Sequence, residues 1–402
     1  MHRRSSSRHL PIKATLRPGL VVLAASLAGA LLVTSACATG SGGGGGSDTI
    51  KLGVVVAETG PIAGAGKTFA NGGQIAADEI NSGNLIGGGK KIELVTKEGS
   101  EDPAKSASVA SQLAADQSIT GMVCCILSTV AGAVKPIAVA QKVPLVLWGA
   151  TDLNLADPPY VYRTVTMPQP ANEKLAQTVA TQKGIKTVAY GVMTDNSGIV
   201  SQAAAFKKGM DGAGVKNLGQ VGTLSTQTDF TSSATSLIQE KSDAIVVAGT
   251  QSNAVGLIAA LHDKGYPGQI ITGETVSGAG VFKSQPDALA NVPFPVYFLA
   301  STATGMGKTF ATDYKTKYGT DPDDYAAQGF TAIYTMAMGL KAAGKDISRA
   351  GLSKALQSLS AIDNTIYGGK VTFTGGQLDA SATVKIVQYT KPNGDIAPWS
   401  GT

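Results

Sequence analysis

The sequence predicts an α/β protein of two doubly wound, Rossmann-like lobes facing each other across a hinged cleft. Three observations predict it. Near-continuous apolar runs alternate with amphipathic helical stretches along almost the whole chain, the pattern of parallel strands covered on both faces. The alternation runs as far as "DPPYVYRTVTMPQP" (157–170), stops there and starts again. Residues 48–402 are also too many for one hydrophobic core.

In chain order, "IKLGVVVA" (50–57) reads as a strand, "TFANGGQIAADEINSG" (68–83) as a helix and "KIELVTKEG" (91–99) as a strand. "DPAKSASVASQLAADQ" (102–117) is a helix opened by Asp102 as cap, with Pro103 at its first position. "ITGMVCCIL" is a strand, "TVAGAVKPIAVAQK" a helix and "VPLVLWG" a strand that ends at Gly149. After the break, "NEKLAQTVATQKG", "IVSQAAAFKKGMDGAG" and "SNAVGLIAALHDKG" read as helices. The strands "KTVAYGVMT", "DAIVVAGT" and "GQIITGE" separate and follow them. In such lobes ligands bind beyond the carboxyl ends of the strands, so two facing lobes imply a cleft there.

Residues 1–36 read as an export signal. Five basic residues precede "LVVLAASLAGALLV" (20–33), an uncharged stretch too short for a comfortable membrane span. "TSAC" then resembles a bacterial lipobox, in which Cys37 is acylated and becomes the mature N-terminus. Thr34 stands where a lipobox usually has Leu, and an ordinary signal cut nearby is the alternative. Residues 38–47, "ATGSGGGGGS", form a flexible tether spanning about 17 Å. The leader holds five of the 33 basic residues and none of the 28 acids, so the remainder is neutral and offers no basic field for nucleic acid. His262 is the one histidine beyond the leader, which starves His-ligated metal sites and Ser-His-Asp catalysis, so no metal, cofactor or catalytic residue is expected. Cys124 and Cys125 neighbour each other in a strand and would point to opposite faces, so two buried free thiols are expected.

"TGPIAGAGKT" (59–68) invites comparison with a phosphate-binding loop. The spacing fails. The first glycine of such a loop would fall at Pro61, which has no N–H to donate.

"IKLGVVVAETGPIAGAG", "QIAADEINSG", "AVKPIAVAQKVPLVLWGAT" and "YAAQGFTAIYTMAMGL", in this order and spacing, resemble the periplasmic leucine/isoleucine/valine-binding proteins (type I fold), receptors of branched-chain amino-acid and amide ABC importers. The resemblance covers nearly all of residues 48–390. It implies lobe 1 over 48–167 plus 300–370, lobe 2 over 168–299 plus 371–402, and crossings near 167, 299 and 371 that act as a hinge. It implies that Ser128 and Thr151, separated by 23 positions, bind a ligand carboxylate through their hydroxyls and the Thr151 N–H. Gly149 and Ala150 in "GAT" supply backbone, with the Gly149 carbonyl meeting an ammonium, and Glu274 adds the carboxylate from the second lobe. Tyr325 matches an aromatic that packs the ligand. Ser197 replaces a family Tyr, and Thr250 or Gln251 replaces another, which suits a ligand more hydrophilic than leucine.

The implied protein is not an enzyme. It is an extracytoplasmic, lipid-anchored receptor that takes a small zwitterion, an amino acid, to ABC permease subunits. The nearer alternative is the same fold binding urea, a short amide or an aromatic acid. A sensory ectodomain and a secreted hydrolase are more distant.

Overall fold

The computed structural model describes residues 49–401 apart from Ala279; the leader, Cys37 and the tether lie outside the described residues. Fifteen strands are described: β1 Thr49–Val56, β2 Lys91–Glu98, β3 Ile119–Cys124, β4 Leu145–Leu147, β5 Val161–Arg163, β6 Thr187–Met193, β7 Lys216–Thr223, β8 Ala244–Ala248, β9 Gln269–Thr272, β10 Phe294–Val296, β11 Ala361–Thr365, β12 Gly369–Thr374, β13 Gln377–Asp379, β14 Lys385–Thr390 and β15 Asp395–Pro398. The helices are α1 Ala63–Ser82, α2 Pro103–Ala115, α3 Ser128–Ala140, α4 Gln169–Lys183, α5 Ser197–Gly212, α6 Thr231–Gln239, α7 Gln251–Asp263, the one-turn α8 Val281–Ser284 and α9 Pro286–Leu289, then α10 Met306–Tyr318, α11 Asp324–Ala343 and α12 Arg349–Ser358.

The first lobe is built on an eight-stranded sheet ordered β11-β12-β13-β5-β4-β3-β1-β2. β1 to β5 are mutually parallel, and the antiparallel ribbon β11–β13 extends the sheet beyond β5. The second lobe has a parallel sheet ordered β7-β6-β8-β9 and a small antiparallel sheet ordered β10-β14-β15. β1 in one lobe and β6 in the other each have later strands on both sides. Those are the points where the winding reverses and a crevice opens beyond the strand ends. Each lobe has its own apolar core, centred on Phe69, Trp148 and Phe330 in the first and on Leu237, Leu257 and Phe206 in the second.

Local chemistry sets the helix ends. Asp102 accepts the N–H groups of Ala104 and Lys105 at 2.7 and 3.1 Å and starts α2, with Pro103 following as expected. Gly184 ends α4 in the left-handed conformation, φ 63°. The segment "GAGKT" is not a loop. It lies within the first turns of α1, with Lys67 on the exposed face. A Cβ on Gly66 would fall 1.8 Å from the Ala57 carbonyl oxygen, so glycine here lets the helix lie against the end of β1.

Two expectations need correction. The third crossing is not near 371. β12 and β13 stay in the first lobe's sheet through hairpin pairing and the Gln377–Arg163 register, and the chain joins the second lobe only with β14. Lobe 1 therefore extends to Asp379 and the crossing lies between Asp379 and Lys385. Cys124 and Cys125 are not free thiols but form a disulfide with each other. The expectation assumed continuous extended backbone. The strand ends at Cys124, and Cys125 turns into the left-handed region (φ 79°), which takes its side chain out of the alternation.

Candidate functional site

The loops leaving the carboxyl ends of β1, β3, β4, β6, β8 and β9 converge on one cavity between the lobes, with ≈ 550 Å³ of space counted up to its open mouth. The first lobe contributes Ile62, Phe69, Ile126, Ser128, Gly149, Thr151, Val165, Tyr325 and Gln328 to its wall. The second contributes Asn196, Ile199, Gln202, Thr250, Gln251, Glu274 and Thr275.

Ser128 opens α3 and is buried. Its Oγ accepts the N–H groups of Thr151 and Asp152, each at 3.1 Å. The Thr151 N–H, expected to face a ligand, is thereby taken, because the turn after Trp148 folds back onto the start of α3. The Thr151 Oγ1 accepts the Gln202 side-chain amide at 3.2 Å from across the cleft. With acceptor positions used in this way, each hydroxyl keeps its O–H to donate. Two such donors beside a helix N-terminus favour an anion.

Glu274 follows β9 and is 5% exposed. Its Oε2 has no hydrogen-bond partner among the described residues. Burial pushes its carboxyl up to about 7, and Asp324 on α11 is pushed to the same region, first by burial and less by the charge of Glu274. Asp324 is engaged elsewhere, accepting the N–H groups of Tyr297 and Phe298 at 3.2 and 2.8 Å. Among the described residues no lysine or arginine lines the cavity, so Glu274 has no cation among them to pair with there. One cavity therefore holds donors for an anion and a buried carboxyl that a cation would satisfy.

Of the residues expected at the site, Ser128, Gly149, Thr151, Thr250, Gln251, Glu274 and Tyr325 line this cavity. Tyr325 stacks on Phe69 at 5.4 Å and donates its O–H across the cleft to the Thr275 carbonyl at 2.8 Å. Thr250 donates to the Met193 sulfur at 3.7 Å. Ala150 and Ser197 do not line it. Ala150 is turned into the core of the first lobe. Ser197 is exposed at the rim, where its hydroxyl is the main cause holding Asp152 below the ordinary carboxylate range. Asn196, Gln202 and Gln328 line the cavity unforeseen. Asn196 carried a signal in "DNSG", since its carboxamide caps α5 through Gly198 and Ile199. Among the described residues, no group of three or more His, Cys, Asp or Glu could hold a metal ion.

The profile of the periplasmic binding protein family matches residues 49–395. The chain belongs to that family. Among its relatives, the Leu/Ile/Val-binding protein BraC3 of Rhizobium johnstonii is 26% identical over 329 residues, covering 81% of this chain and 87% of that protein. A leucine-binding protein, LivK, of Thermotoga maritima superposes with a TM-score of 0.78 at 20% identity, covering 87% of this chain and 97% of that one. A solute-binding protein of an ABC transporter from R. palustris, solved with 4-hydroxybenzoate, superposes with a TM-score of 0.77 at 22% identity, covering 87% and 95%. The fold is the type I fold of these binding proteins, and the chain is a solute-binding receptor of the Leu/Ile/Val-binding type. Membership of the family implies a place outside the cytoplasm.

Proposed function

We propose that this receptor captures a free amino acid and delivers it to the permease subunits of an ABC importer, and that lipid on Cys37 holds it at the outer face of the cytoplasmic membrane. The observation that carries the reading is Glu274, a buried carboxyl with an unpaired oxygen in the same cavity as two donor hydroxyls. An ammonium supplies the missing cation, and a carboxylate takes the O–H groups of Ser128 and Thr151. The Gly149 carbonyl assists at the ammonium and the Tyr325 ring packs the ligand. The receptor performs no chemistry. The names of relatives such as BraC3 support amino-acid binding.

An aromatic acid is the second reading, favoured by Phe69 in the cavity wall and by the neighbour solved with 4-hydroxybenzoate. It leaves Glu274 buried beside an anion with no cation present, which is the weaker arrangement.

A thermal-shift screen tests the choice. Amino acids, urea, acetamide and benzoates are offered to wild type and to Glu274→Ala. A ligand at a hundred times its dissociation constant adds about 2.7 kcal/mol to stability. An amino acid should raise the wild-type melting temperature, and the variant should lose that response while melting normally without ligand. A shift from a benzoate or an amide, retained in Glu274→Ala, replaces the amino-acid reading. For the anchor, wild type should fractionate with membranes and Cys37→Ala should not, since the acyl chains supply the membrane affinity; equal release of both contradicts the anchor.

A further inference from the structure

Within the amino-acid reading above, on which this inference rests, we infer that the ligand carries a neutral side-chain carboxamide, recognised by Gln328 with Gln251, and that these two glutamines set specificity against aliphatic amino acids. Gln328 lies on α11, one turn beyond Tyr325, and is 4% exposed. It lines the cavity, yet its carboxamide makes no hydrogen bond to any described residue. Ile62, Phe69 and Ile126 share the wall with it and offer no polar side chain. A ligand that closes over this carboxamide shuts it off from water and must supply the hydrogen bonds itself.

Gln251, at the start of α7, approaches from the other lobe. It is half-buried, and its carboxamide also bonds to no described residue. A Cβ on Gly278 would lie 2.9 Å from its Oε1, and one on Gly64 would lie 3.8 Å from its Nε2, so the side chain reaches across the mouth toward α1. The two glutamines, one from each lobe, bring donors and acceptors of both kinds to the wall of the cavity besides Ser128, Thr151 and Glu274.

A ligand carboxamide matches that set, since it accepts and donates side by side. A leucine or valine side chain offers neither glutamine a hydrogen bond. A second carboxylate on the ligand finds no lysine or arginine in the wall, and a second ammonium finds no further acid there. Those gaps leave a neutral polar group.

The test is calorimetric titration of the full chain with L-glutamine, L-asparagine, L-leucine, L-valine and 4-hydroxybenzoate. Wild type should bind one of the two carboxamide amino acids at least about tenfold more tightly than leucine or valine. Gln328→Leu should erase that ratio while the chain still binds leucine; should the variant not fold, Gln251→Leu is read in its place. Leucine or valine binding wild type as tightly as either amide, or a ratio unchanged in the variant, overturns the inference and leaves the amino-acid reading standing. Binding of 4-hydroxybenzoate with no response to any amino acid overturns both.

Discussion

At Glu274 the cost of burial is written into the carboxyl itself, which holds its proton to about 7 from an ordinary value of 4.5. The charged and titratable groups acting around it are Asp324, Tyr297 and Tyr325, none of them a cation. Between 4.5 and about 7 the folded, ligand-free chain keeps a proton that the unfolded chain has released. The stability this contributes is full below that window and is lost as pH rises through about 7. Asp324 adds a second slope of the same sign. The melting temperature of ligand-free wild type should therefore fall more steeply between pH 5 and about 7.5 than that of Glu274→Gln, which keeps only the Asp324 share. An ammonium ligand reverses the preference, because it stabilises the ionised carboxylate. Its affinity should rise with pH through this window and level off above about 7, with close to one proton released per ligand near pH 6 in titrations run in two buffers. A flat affinity profile contradicts the pairing. Ser128, Thr151 and Glu274 came from the family resemblance, the first two through their 23-position separation and the third as the acid after "GQIITG", and all three line the cavity. Gln202 and Gln328 were not. Inside a helix, a glutamine facing a partner lobe looks the same as one facing water until both lobes are in place.

Packing between elements turns on where glycine removes a side chain. In the first lobe α1 and α11 lie so close that a Cβ on Gly72 would sit 1.9 Å from the Ala326 carbonyl oxygen, and one on Gly329 would sit 2.0 Å from that of Phe69. Both obstacles are backbone and cannot rotate away. Gly329→Ala should lower stability in urea by about 1–3 kcal/mol or more through overpacking. Gly132, on the exposed face of α3 with nothing within 4 Å of its virtual Cβ, is the control. Gly132→Ala should raise stability by about 0.4–1 kcal/mol, because alanine costs less backbone entropy in a helix. Equal effects at the two sites contradict the packing account. Strands buried on both faces, such as β3 (Ile119–Cys124) and β8 (Ala244–Ala248), were read from their largely apolar runs, and β2 (Lys91–Glu98) was read although it is mostly exposed. β7, "KNLGQVGT", is an exposed edge strand without that run, and α6 is only nine residues of mostly small polar side chains. The ribbon β11–β13 was missed for a different reason. Its alternating, half-exposed strands carry no mark of which lobe they join, so the third crossing was placed too early.

Among the hydrogen bonds that span the cleft between described residues are Gln202 to the Thr151 hydroxyl at 3.2 Å, Gln169 to the Thr151 carbonyl at 3.3 Å, and Tyr325 to the Thr275 carbonyl at 2.8 Å. These join the lobes directly, while the chain passes between them three times at the hinge side. Gly198 in the first turn of α5 makes a close approach to the other lobe. A Cβ there would lie 2.4 Å from the Ser128 Oγ and 2.6 Å from the Thr151 Oγ1. The Ser128 oxygen cannot swing aside freely, since two backbone N–H groups hold it. Gly198 has ordinary helical backbone, and within its own lobe a Cβ would meet only the milder obstacle of the Asn196 Oδ1 at 3.2 Å, so the severe resistance comes when the lobes meet. Gly198→Val should thus leave the ligand-free melting temperature close to wild type, because neither core is touched, and should prop the cleft open. Ligand affinity should fall at least about tenfold, the loss that 1.4 kcal/mol of blocked closure produces. Small-angle scattering separates this from simple damage to the binding residues. Saturating ligand should leave wild type compact, and Gly198→Val should scatter as a more extended particle with ligand or without it. A variant that binds as tightly as wild type and is equally compact would show that the lobes need not approach this closely to hold their ligand.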